Sequence, residues 1–153
     1  MQFELTADQS AYQAAARAFA AGELTPKAAE WDTNATLPID VLRQAAELGF
    51  AGIYVRQDVG GSELGRLEST LIFEALSAGC TSTAAFLSIH NMAAWMIDSF
   101  GSQPQRQKWL PRLCAMQLIA SYALTEPGAG SDAASLATRA VRDGDDYVLN
   151  GSK

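Results

Sequence analysis

Residues 125–135 read Thr-Glu-Pro-Gly-Ala-Gly-Ser-Asp-Ala-Ala-Ser, a polar, glycine-bearing turn that directly follows an apolar run. That run, Leu118 to Leu124, is short, partly β-branched or aromatic, and preceded by helical sequence, so it predicts a strand over 118–124. Past the strand's end Thr125 offers a hydroxyl, Gly128 and Gly130 permit positive φ, and Ser131 can donate or accept a hydrogen bond. Glycine lacks the β-carbon that would hold a flat ring or a phosphate away from backbone amides. A turn of this type could therefore take a planar cofactor or a phosphate.

Two other readings compete at the same residues. Gly128-Ala129-Gly130-Ser131-Asp132-Ala133 also fits the G-x-G-x-x-A form of a dinucleotide fingerprint, with Ala134 to Arg142 as the helix that would follow. Against it, Thr125-Glu126-Pro127 separates strand from glycine, and Asp143-Gly144 cuts the candidate helix short for a crossover. A turn with no ligand at all is the third reading. Glu126 and Asp132 suggest an acid–base pair, but in such a turn they are expected to hold backbone N–H groups.

The elements that must position this turn are mostly helical. Thr6 with Gln9 forms a capping box, and Tyr12, Ala15, Ala16, Phe19 and Ala20 share one face of the helix that follows. Gly22 and Pro26 weaken it, with a kinked continuation through Lys27 to Trp31. A second helix spans Pro38 to Leu48, with proline in its first turn and Gly49 as its stop. Phe50 to Val55 has strand propensity but no evident partner, so an extended loop is expected, followed by a loop over 58–65. Leu67, Leu71, Ile72, Ala75 and Leu76 form the stripe of a helix from Arg66 to Ala78, closed by Gly79. From Ser82 to Phe100 apolar residues wrap nearly the whole circumference, which predicts a helix buried in a bundle or lining a cavity. Gly101 ends it, Ser102 with Gln105 caps the next, and that helix is expected to stop near Leu110 because Pro111 disturbs it. A candidate strand near Leu136 to Arg142, a turn at Asp143-Gly144-Asp145 and a strand at Tyr147-Val148-Leu149 complete the chain. The fold class expected is mainly α: a helical bundle over 1–116, then over 117–153 the first strands of an incomplete β domain.

Composition narrows the classes. The 153 residues are 48% hydrophobic, enough for a core, and carry a net charge of -6. An acidic chain lacks the basic face that nucleic acid demands, so no nucleic-acid partner is expected. No uninterrupted apolar run of ~20 residues offers a membrane span. The terminus Met1-Gln2-Phe3-Glu4-Leu5-Thr6 shows neither signal-peptide features nor the arginine-rich character of a transit peptide, which predicts a cytoplasmic protein, or a mitochondrial-matrix one in a eukaryote. Cys80 and Cys114 lack metal-ligand spacing and are expected to be reduced and buried. His90, the only histidine, is expected to be a hydrogen-bonded core residue, so no metal site is assigned. Two or three strands with open edges are not stable alone. The chain is expected to be the N-terminal portion of a longer protein, or a fragment stabilised by a partner.

Ala123 to Ser135 resembles the flavin-contact signature of the acyl-CoA dehydrogenase family, at about ten positions in order. Gly60-Gly61 with Leu64-Gly65 is similar to that family's glycine loop, and Asp146 to Lys153 to the strand after the flavin turn. Cys80-Thr81-Ser82-Thr83 with Ile89 through Gly101 is similar to the branch acting on isobutyryl-CoA. The resemblance covers essentially the whole chain. It implies FAD as cofactor, with the backbone around Tyr122 and Leu124 and the Thr125 hydroxyl at the isoalloxazine edge, Gly130 and Ser131 continuing the turn, and Ser131 touching the acyl-CoA. It implies further that Ala84, Ala85, Ser88 and Met92 face the acyl cavity. The implied reaction is α,β-dehydrogenation of a short, branched acyl-CoA, with electrons passed to an electron-transfer flavoprotein by a homotetramer. An acyl-CoA oxidase-like enzyme, or a non-catalytic remnant serving as an interaction module, are the alternatives. The family's catalytic base is a glutamate expected beyond Lys153, as is a second flavin-contact strand, so no catalytic residue is assigned within the chain.

Overall fold

The computed structural model describes residues 4–153. Met1 to Phe3, part of the terminus considered for targeting features, lie outside the described residues. The chain divides into a helical unit ending at Ser121 and a second unit, Tyr122–Lys153. The helical unit reaches beyond residue 116 because Leu118 and Ala120 still pack against its interior.

Thr6 opens α1 (Ala7–Phe19) with the reciprocal cap its sequence predicts. The Gln9 amide donates to Thr6 Oγ1 at 3.2 Å and the Thr6 amide to Gln9 Oε1 at 3.0 Å, which satisfies two of the helix's orphan donors. Ala16 and Phe19 are buried, whereas Ala15 lies exposed at the margin of the expected stripe. The helix does not break at Gly22. It widens into one π turn, Ala20–Leu24, closed by the Thr25 amide on the Ala20 carbonyl at 2.9 Å, and this keeps both Ala20 and Leu24 in the core. α2 (Ala28–Thr33) follows after Pro26, and α3 (Ile39–Glu47) buries Val41, Leu42 and Ala45.

Residues 50–55 depart from the expected extended loop. They wind through successive turns, and Phe50, Ala51, Ile53 and Val55 are at most 2% exposed. With no strand beside them, their backbone groups find other partners. Asn91 donates to the Phe50 carbonyl at 2.8 Å and accepts from the Ile53 amide at 2.7 Å. The following loop folds back on the same segment through Ser62, Glu63 and Leu64, whose amides donate to Gly52, Val55 and Ile53. Gly61 lies so close to the Val55 carbonyl that a β-carbon would not fit.

α4 (Arg66–Gly79) packs on α1 and on α5 (Thr81–Phe100). Leu71, Ile72, Ala75 and Leu76 are buried as the periodicity predicts, but Leu67 is 53% exposed. The larger correction concerns α5. Its buried face carries Thr83, His90, Asn91 and Asp98 beside Ala84, Leu87 and Ala94, while apolar Ile89 and Phe100 are exposed. Within this unit the helix is therefore not enclosed on all sides, and its polar residues point inward because the irregular loop there needs partners. α6 (Gln103–Cys114) begins with the Ser102–Gln105 box and runs through Pro111 instead of ending near Leu110. Proline's fixed φ suits a helix and removes only one donor, and burial of Leu110, Leu113 and Cys114 holds the last turn in place.

A charge network joins loop, α5 and α6. Arg106, 6% exposed at its side chain, donates to Asp98 Oδ1 at 2.8 Å and grips Asp58 with two nitrogens at 2.7 and 3.0 Å. Arg56 adds its amide and Nε to the Asp98 carboxylate and its Nη2 to the Asp98 carbonyl. Burial on its own would raise the Asp98 pKa, but the bonds from Arg56 and Arg106 outweigh it and hold the carboxyl below its ordinary value. Both cysteines are free; Cys114 is buried, but Cys80 is only half-buried. Burial, with the Asp98 charge nearby, pushes the Cys114 thiol up to about 11. It is an inert core residue.

The second unit contains one hairpin, β1 (Arg139–Asp143) and β2 (Asp146–Asn150), with Val141 opposite Val148. The first strand starts three residues later than the sequence pattern suggests. Gly144 supplies the positive φ, +62°, that the two-residue turn needs. Every residue of both strands is exposed. Among the described residues no helix is long and apolar enough to cross a membrane, and no group of His, Cys, Asp and Glu could hold a metal ion.

Replacing Asn91 by alanine leaves the Ile53 amide and Phe50 carbonyl buried without partners. The expected loss is about 3 kcal/mol of unfolding free energy, at 1–3 kcal/mol per orphaned group. Urea denaturation measures it, and a loss below about 1 kcal/mol would contradict the role given to this side chain.

Candidate functional site

The segment Leu118–Leu124 forms no strand. A strand requires a ladder partner, and the hairpin pairs only with itself. Instead the chain runs unpaired into the turn. Among the described residues, the amides of Ser121 through Thr125 donate no hydrogen bond within the chain. Ser121, Tyr122, Ala123 and Thr125 are exposed and Leu124 is half-buried. The Thr125 and Ser131 hydroxyls also lack intramolecular partners among the described residues, and both residues face solvent.

The turn is closed by a reciprocal pair of backbone bonds: the Glu126 amide on the Ala129 carbonyl at 3.0 Å, and the Ala129 amide on the Glu126 carbonyl at 3.1 Å. Neither Gly128 nor Gly130 adopts positive φ, contrary to expectation. Pro127 at the second turn position is compatible with a type I turn, which needs no left-handed residue. Their glycine character matters for another reason. A β-carbon at either position would project into open space, so side chains there would stand on a face that is now bare backbone.

Glu126 anchors this geometry. Its carboxylate, 5% exposed, accepts the Ala137 amide at 2.7 Å and the Thr138 amide at 3.1 Å, and pairs with Lys153 Nζ at 2.9 Å. Thr138 is the largest influence on its acidity, followed by Ala137 and Lys153; together they hold the carboxyl down to about 2. Lys153 Nζ also donates to the Leu124 carbonyl at 2.8 Å, while the Leu124 N–H stays free within the chain. Asp132 takes the Ser135 amide on its carbonyl and the Ser135 hydroxyl on its carboxylate, a structural role met through a side chain as well as backbone. With its oxygens committed and its charge locked, Glu126 is unsuited to moving protons at neutral pH.

This arrangement fits a flavin. The run of free amides at 121–125 and the Thr125 hydroxyl are donors, and the edge of an isoalloxazine ring carrying N1 and the C2 carbonyl is an acceptor that gains charge on reduction. The bare backbone at Gly128 and Gly130 leaves the turn's outer face clear.

In the helical unit, the row expected to face an acyl cavity is divided. Ala84 is 2% exposed and packed in the main core, while Ser88 and Met92 are half-buried. Each step of four residues overshoots a full turn by roughly 40° at 3.6 residues per turn, so the row drifts from the core toward the open side. The Ser88 hydroxyl donates to the Ala85 carbonyl at 2.8 Å. The cleft between Trp31, Leu37 and Phe86, and that between Met96, Phe100 and Trp109, include none of the three. His90 is fully buried and hydrogen-bonded at both nitrogens, with Leu113 and Ala120.

Sequence reasoning missed Asn91, Lys153 and the Asp98–Arg106 network. One signal for the network was legible: Asp98 is the sole charged residue of α5, and a lone charge in an apolar helix requires a partner.

The description "Acyl-CoA dehydrogenase, N-terminal domain" fits residues 6–117, and "Acyl-CoA dehydrogenase, middle domain" fits residues 121–153. The chain is 57% identical over 149 residues to mitochondrial isobutyryl-CoA dehydrogenase of Bos taurus, covering 97% of this chain and 36% of that protein. It thus spans about a third of that relative's length. Among solved structures, glutaryl-CoA dehydrogenase of Mycobacterium smegmatis in complex with FADH2 superposes with a TM-score of 0.89 at 34% identity, covering 96% of this chain and 38% of that one. The FAD complex of PigA does so with a TM-score of 0.92 at 35% identity, covering 99% and 40%.

Because the folded Glu126 carboxyl titrates at about 2, against an ordinary 4.5, its stabilising contribution is complete above pH 4.5 and disappears as pH falls toward 2. NMR titration of the Ala137 and Thr138 amides should show a midpoint near 2. A midpoint near 4.5 would mean that the carboxylate is not clamped in solution.

Proposed function

Because this chain belongs to the acyl-CoA dehydrogenase family, we propose that the protein containing it carries out FAD-dependent α,β-dehydrogenation of a short, branched acyl-CoA thioester. The run of unpaired amides from Ser121 to Thr125 carries this reading, since these donors meet no acceptor among the described residues. Identity to an isobutyryl-CoA dehydrogenase supports the branched substrate. The family is FAD-dependent, and FAD held here would supply the acceptor for the hydride leaving the thioester's β-carbon.

The chain's own residues bind and orient. The Tyr122 and Leu124 amides and the Thr125 hydroxyl hold the ring edge, where fixed donors favour the reduced, negatively charged form. Gly130 and Ser131 carry the backbone past the ring, and the Ser131 hydroxyl contacts the acyl-CoA. Ser88 and Met92 line the acyl cavity from α5, and Ala84 shapes it only from within the core. Glu126 keeps the turn in shape. Glu126 and Asp98 are engaged in ion pairs, so neither serves as the base that removes the α-proton. Electrons leave to an electron-transfer flavoprotein, and the assembly is a homotetramer of the cytoplasm or, in a eukaryote, the mitochondrial matrix.

In the complete protein, Ser131→Ala should raise KM for isobutyryl-CoA about fivefold, the worth of one neutral hydrogen bond, with FAD content unchanged. Thr125→Val should instead weaken FAD retention about tenfold. Steady-state kinetics measures the first, and flavin absorbance on dilution the second. Equal loss of flavin and substrate affinity in the two variants would contradict the division of roles.

A further inference from the structure

We infer that His90 is a positioning residue for the flavin-contacting stretch, acting through the amide of Ala120; this deepens the reading given under Proposed function and rests on it. The imidazole is fully buried. Its Nε2 lies 3.1 Å from the Leu113 carbonyl, which can only accept, so Nε2 carries the proton. Nδ1 of the neutral ring is then a bare acceptor, and it receives the Ala120 amide at 3.1 Å. Burial holds the imidazole below its ordinary pKa, with the Leu113 bond working the other way, so the ring stays neutral and the acceptor stays available.

The two bonds are not equivalent. The Leu113 carbonyl also accepts the Met116 amide at 2.9 Å, so it keeps a partner without His90. The Ala120 amide has no other acceptor among the described residues. A histidine serving the core alone would join α5 to α6 and stop there. This ring gives its second nitrogen to chain beyond α6, at the last hydrogen bond before the free amides of 121–125. Tyr122 follows Ala120 by two residues, so the Ala120 bond is the nearest fixed point upstream of the free Tyr122 and Leu124 amides.

The test uses the complete FAD-loaded protein and two substitutions that each preserve one bond. In His90→Asn the amide oxygen can occupy the place of Nδ1 and keep the Ala120 amide. In His90→Gln the amide nitrogen can occupy the place of Nε2 and keep the Leu113 carbonyl. His90→Gln should weaken FAD binding about tenfold, the scale of one orphaned donor, and alter the fine structure of the visible flavin band; His90→Asn should stay within about threefold of the unaltered protein. Ala120→Pro, which removes the donor and leaves the histidine in place, should reproduce the His90→Gln defect and serves if a histidine variant fails to fold. Equal FAD affinity in His90→Gln and the unaltered protein, or equal losses in both histidine variants, would overturn the inference. An unaltered protein that binds no FAD would overturn the functional reading and this inference with it.

Discussion

Buried backbone that is neither helix nor strand must find hydrogen-bond partners, and in the helical unit α5 supplies them. Residues 50–55 lie at the centre of the core with no ladder of their own. Asn91 satisfies the Phe50 carbonyl and Ile53 amide, and Asp98 takes the Arg56 amide. This requirement explains why the most apolar helix of the chain turns its polar side chains inward. It also explains why Gly61 must press against Val55, since the returning loop closes the remaining bonds.

Charge follows the same logic. Asp98 is tolerated in the interior because two guanidinium groups and an amide meet it, and the network then fastens α6 to the loop. A buried ion pair of this kind is weak as net stabilisation, but removal of one partner leaves a stranded charge, so it enforces one arrangement over others. Glu126 repeats the pattern in the second unit. Both carboxylates are structural anchors.

The helices were legible where a local rule sufficed. The capping boxes at Thr6 and Ser102 act within four residues, and the buried stripe from Leu71 to Leu76 reports a single face. Legibility failed where the outcome depended on distant partners. The apolar run at 118–124 has strand composition, yet with no neighbouring strand it stays unpaired. Pro111 would end an isolated helix, but burial of Leu113 and Cys114 carries α6 past it. The turn at 125–135 was legible as a turn, while the anchoring of Glu126 by Lys153, twenty-seven residues away, was not.

Residue type and order at 121–131 are enough to say which residues could meet a cofactor, because they decide what donors exist and where side chains are absent. The helical periods, local properties of the backbone, are equally readable from the chain. Which of those donors remain free, which carboxylates are spent, and which way α5 faces follow from the folded arrangement alone. Those outcomes depend on groups far apart in the chain meeting within ~3 Å, a distance that composition and spacing do not encode.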